Sequence, residues 1–81
     1  MPEISRFLGI VIQMYFNDHT PPHFHAKYGE HQASIVIESL GLLEGRLPGR
    51  ILSLVVEWGM EHRDELTANW ESLRSMERAV P

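Results

Sequence analysis

The residues best able to do chemistry in this chain of 81 crowd into eight positions, Asp18-His19-Thr20-Pro21-Pro22-His23-Phe24-His25, which hold three of its five histidines and two of its five prolines. His23 and His25 stand two apart in a strand-like pattern. Their side chains therefore project to one face with Cα atoms about 6.5–7 Å apart, close enough for two imidazoles to share a metal ion. His19, across a turn stiffened by Pro21 and Pro22, is the candidate third ligand. Glu30, in a His-x-His-x4-Glu spacing, or Asp18 is the candidate fourth. With no cysteine in the chain, a metal site has imidazole and carboxylate to draw on, and zinc is a divalent ion that accepts both.

The same residues allow chemistry without a metal. Imidazole exchanges protons near neutral pH, and Lys27 adds a fixed positive charge on the face of His23 and His25. His19, His23, His25 and Lys27 are therefore the candidate catalytic set, able to supply acid, base and anion contact for cleaving RNA. A third reading needs no chemistry: Phe24, Ala26 and Tyr28 do the packing, while the histidines face solvent or bond to turn carbonyls.

The elements around this cluster must position it. Residues 7–16 are β-branched, aromatic and apolar on both alternating faces, the pattern of a strand buried on two sides and placed centrally in a sheet. Residues 17–22 break that strand, and two prolines there restrict the backbone and hold the rim side chains at a defined separation. A second strand over 23–29 puts Phe24, Ala26 and Tyr28 toward the core. It connects through Gly29-Glu30-His31 to a third over 32–38, with Ala33, Ile35 and Ile37 inward. A short fourth strand over 43–46 is an optional addition.

Leu47-Pro48 opens the helical half, because proline's missing donor is not needed in a first turn. Ile51, Val55, Trp58 with Gly59, His62, Leu66, Trp70 and Leu73 recur at spacings of three and four. Gly59 and the polar run from Glu61 to Glu65 favour a break, giving helices over 48–61 and 63–76 and a frayed tail over 76–81. The expectation is one α+β domain over residues 1–81, a small antiparallel sheet of three to four strands with two C-terminal helices on one face.

Other features carry weaker readings. Arg46 and Arg50 flank a helix start, where exposed donors favour anions. Trp58 and Trp70 read as core or interface anchors, and His62 as a core or helix-terminal histidine. Glu57 and Glu61 read as a solvated acidic face. The net charge of −4, from seven Lys and Arg against eleven Asp and Glu, disfavours nucleic acid as a partner. The absence of cysteine is compatible with a reducing compartment. The apolar run over 7–16 is shorter than a membrane span, and its upstream flank carries Glu3 and Pro2 instead of a basic n-region. No membrane partner and a cytoplasmic location are therefore expected.

Across nearly the whole chain, the order of residues resembles the small bacterial domain-of-unknown-function family 4160. The likeness rests on Pro2-Glu3-Ile4-Ser5-Arg6-Phe7, Gly9-Ile10-Val11-Ile12, Met14-Tyr15-Phe16, the histidine block and Tyr28-Gly29. The second half agrees through Leu43-Glu44-Gly45, Leu47-Pro48, Glu57-Trp58, His62, Glu65-Leu66 and Asn69-Trp70. Departures are Ser39-Leu40-Gly41-Leu42, in place of a Thr-Gly-Glu-like turn, and Gly59, in place of a helix former. The resemblance implies an uncharacterised domain associated with toxin–antitoxin-like gene pairs or transcriptional regulation. The leading expectation is accordingly a protein-interaction module that joins a small partner protein or self-associates. The rival is a histidine-cluster metal-binding protein or small nuclease using His19, His23 and His25.

Overall fold

The computed structural model describes residues 3–15 and 20–79, with the backbone alone described for Glu3 and for 75–79. Five strands, β1 (Glu3–Phe7), β2 (Ile10–Gln13), β3 (His23–Tyr28), β4 (His31–Val36) and β5 (Leu42–Arg46), precede one helix, α1 (Gly49–Ala79). Every neighbouring pair is antiparallel and the sheet order is the chain order, β1-β2-β3-β4-β5. The architecture is α+β, with an antiparallel sheet ahead of a C-terminal helix, as expected.

The expected single strand over 7–16 is instead a hairpin. Leu8 and Gly9 both take positive φ, 49° and 80°, which matches the two-residue turn whose twist suits antiparallel strands. The apolar run continues unbroken through the turn, so periodicity did not mark it. Phe7 consequently belongs to β1 and faces the core side opposite Ile10, while Val11 faces the other side opposite Arg6. Residues 16–19, with Phe16 and His19, lie outside the described residues.

The optional strand over 43–46 is a full edge strand, β5. Its pairing with β4 shifts register between Ser34 and Ile35, and Gly45, at φ 81°, lies against β4 so closely that a Cβ would meet the Gln32 carbonyl oxygen. β5 brings the sheet to five strands instead of three or four.

In place of two separate helices there is one, α1, kinked at His62 (φ −119°, ψ 17°), within the polar run where a break was expected. The ring nitrogen Nδ1 of His62 lies 2.8 Å from the Trp58 carbonyl oxygen, the acceptor that the His62 amide would take in a regular helix. A side chain inserted into the i→i−4 ladder bends a helix without ending it. Gly59 does not break α1 either. A Cβ there would lie 2.8 Å from Leu40 Cδ2 and 3.7 Å from Phe24 Cζ, so glycine lets the helix seat closely on the sheet. The helix also runs past the expected end at 76, to Ala79.

The core forms between one sheet face and α1. Ile10, Ile12, Phe24 and Ile35 are fully buried there, joined by Val55, Leu66 and Trp70 from the helix. Trp58 stacks on Phe7 at 5.6 Å and on His62 at 4.5 Å, and meets Phe24 edge-on at 5.9 Å. No helix among the described residues is long and apolar enough to cross a membrane.

Candidate functional site

The site builds up from strand pairing. Residues paired in register share a face, so the face turned away from Phe24 and Ala26 can be read row by row. One row runs Gln13–His25–Ser34–Glu44 across β2 to β5. The next runs Arg6–Val11–Lys27–Gln32–Arg46 across all five strands. A third pairs His23 with Val36.

Side-chain hydrogen bonds hold the first row in two places. Ser34 Oγ and His25 Nδ1 are 3.2 Å apart, and the Tyr15 hydroxyl donates to Gln13 Oε1 at 3.0 Å. The Tyr15 and His25 rings meet edge-on with centroids 4.7 Å apart. Gln13 and Ser34 are buried and His25 is half-buried. Beside them an open pocket of about 230 Å³ is lined by His25, Gln32, Ala33, Ser34, Glu44 and Gly45.

His23 bonds to a turn carbonyl, one of the placements the sequence allowed, and is buried. It is only 5% exposed, with its ring 5.4 Å from Trp70 and 5.2 Å from the ring of His25. Its Nδ1 lies 2.7 Å from the Pro21 carbonyl oxygen, so that nitrogen carries the proton and donates. The reason for its burial is α1, whose segment beyond the bend at His62 brings Trp70 over the start of β3. Alternation within a strand reports which face a residue takes, but not what covers that face.

The other sequence candidates separate. Lys27 is exposed in the second row. Glu30 occupies the β3–β4 turn, beyond the end of the strand that carries His25. Among the described residues no group of three or more His, Cys, Asp or Glu is arranged to hold a metal ion. Asp18 and His19 lie outside the described residues. Arg46 joins the row of Lys27, and Arg50 sits exposed in the first turn of α1. Trp70 is a core residue, and Trp58 is half-buried. Glu57 and Glu61 are exposed.

Sequence reasoning missed Gln13, Ser34, Glu44 and Arg6. Each is unremarkable in its own segment, and only register places it beside His25 or Lys27. The alternation of β4 could have singled out Ser34, since it points away from Ala33 and Ile35.

A five-stranded antiparallel sheet with a polar outer face and a helix over its inner face defines a small α+β domain with one candidate binding face. The chain belongs to the family described as "Domain of unknown function (DUF4160)", whose model matches residues 9–71. Neither a curated protein nor a solved structure matches it.

Proposed function

We propose that this domain is a protein-interaction module, working in a toxin–antitoxin-like or regulatory pair, and that it receives its partner by strand addition at β5. The observation that carries this reading is the exposure of all five β5 residues, with Leu42 50% and Leu43 40% exposed. An edge strand offers backbone donors and acceptors to another chain. Two adjacent leucines on such an edge add apolar surface that an incoming strand would cover. A groove on α1 lined by Leu52, Val56 and Met60, with Met60 62% exposed, adds a second apolar surface. A domain of this size has a net stability on the order of 4–12 kcal/mol, so a bound partner adds usefully to it.

The test uses the chain as bait in its host. A captured partner should slow hydrogen exchange of the β5 amides, and the double variant Leu42→Lys with Leu43→Lys should release it without moving the urea midpoint. A chain that is monomeric by light scattering and captures nothing overturns the reading. So does a complex that leaves β5 exchange unchanged.

A second reading, a metal-binding protein or small nuclease built on His19, His23 and His25, draws support from the 5.2 Å separation of the His23 and His25 rings. Its nuclease version predicts growth arrest on expression that His25→Ala relieves, and full arrest with His25→Ala ends that version.

A further inference from the structure

The second row of the outer face gathers charge that the sequence scatters. Arg6, Lys27 and Arg46, three of the seven Lys and Arg residues, occupy alternate strands of one register row. All three are exposed, as is Gln32 between the last two. With strands about 4.8 Å apart, neighbouring cations are about 10 Å apart, and the row spans about 20 Å. Six of the eleven acidic residues lie along α1, at Glu57, Glu61, Asp64, Glu65, Glu71 and Glu77, while the row beside the stripe has Glu44 on β5 and Glu3 in register with Gln13. The net charge of −4 therefore conceals a cationic stripe on the sheet.

Along the strands, one side of this stripe is bordered by the Gln13–His25–Ser34–Glu44 row and by the pocket of about 230 Å³. Tyr15 and His25 present half-buried rings on that side. Cations that converged on one point would suit a single phosphate group. Cations strung in a line suit a chain of phosphates, and hydrogen-bonding groups with aromatic rings beside them suit bases.

We infer that the outer face of the sheet binds single-stranded nucleic acid. The phosphates follow the Arg6–Lys27–Arg46 row, and a base enters the pocket beside His25. There Gln32 and Ser34 offer hydrogen bonds and the Glu44 carboxylate accepts from an exocyclic amino group. A single strand is required because its bases are free to turn toward a flat sheet, whereas a duplex buries them and among the described residues this face raises no helix or ribbon to enter a groove. The inference uses the face of the sheet and not its edge, so it stands or falls separately from partner binding at β5.

The test is fluorescence anisotropy of a labelled single-stranded RNA of mixed sequence, titrated with the intact chain at several salt concentrations. Three neutralised phosphates give a slope of log affinity against log salt of about −2, equivalent to a loss of about 20-fold between 50 and 200 mM. Lys27→Ala and Arg46→Ala should each weaken binding and flatten the slope by about 0.7. Gln32→Ala should weaken binding with the slope unchanged, and Arg74→Ala, on the helix, should change neither. The same strand in duplex form should compete poorly, and inorganic polyphosphate at equal phosphate, which meets the row but offers no base to the pocket, should compete less well than the RNA. Absence of salt-dependent binding overturns the inference, as does equal competition by duplex or polyphosphate, or an Arg74→Ala effect as large as that of Lys27→Ala.

Discussion

Replacing His23 by alanine should damage the fold before it damages any activity. The ring is 5% exposed, donates to the Pro21 carbonyl at 2.7 Å and lies 5.4 Å from Trp70. Truncation removes a buried ring, costing about 1.5–2 kcal/mol in lost burial and cavity. It also removes one hydrogen bond worth about 1 kcal/mol and an aromatic contact worth about 0.5–1 kcal/mol. The sum, about 3–4 kcal/mol, is a large share of a total on the order of 4–12 kcal/mol. His23→Phe keeps the ring volume and the Trp70 contact and gives up the bond to Pro21. Pro21 is exposed, so water can replace that donor. The loss in His23→Phe should therefore be about 1 kcal/mol. Urea unfolding followed by tryptophan fluorescence reads both, and with a slope of about 1 kcal/mol/M the His23→Ala midpoint should fall by about 3 M. A His23→Ala midpoint close to that of the parent, or a His23→Phe loss as large as the alanine loss, would refute this account of His23. The practical consequence concerns the histidine cluster: lost activity in His23→Ala does not identify a reacting group, whereas half-buried His25 is the cleaner probe.

Two further outcomes follow from the geometry. Gly45→Ala should cost about 2–4 kcal/mol, because φ is positive there and the new methyl meets β4 backbone. Gly29→Ala, also at positive φ but with nothing within 4 Å, should cost about 1 kcal/mol. Thermal melts followed by circular dichroism compare them, and equal losses would show that the close approach of β5 is not what requires Gly45. The zinc reading of His19, His23, His25 and Glu30 requires about one ion retained per chain after loading and desalting, abolished by His25→Ala. Elemental analysis of untagged protein that finds less than about 0.1 ion per chain removes that reading.

Local pattern was enough where the physics is local. The two-residue alternation of His23 to Tyr28, the turn at Gly29 and Glu30, and the inward set Ala33 and Ile35 all follow from the pleat of a strand. The recurrence of Ile51, Val55, Leu66 and Trp70 follows from the pitch of a helix. The α+β class was legible from these alone. The hairpin at Leu8 and Gly9 was not, because an apolar residue at positive φ leaves no trace in hydrophobic periodicity. The interruption of α1 was legible in the polar run around His62, but the role of Gly59 was not, because it reads as a helix breaker until Leu40 and Phe24 are seen against it.

The candidate site divides in the same way. The sequence by itself determined that His23, His25 and Lys27 share one face of a strand, since that depends only on spacing. Tertiary structure decided that Trp70 covers His23, that Glu30 stands at the far end of β3, and that Gln13, Ser34 and Glu44 line up with His25. It also decided that Arg6, Lys27 and Arg46 form one stripe. Strand register links residues far apart in the chain, and register is set by turns and core packing together.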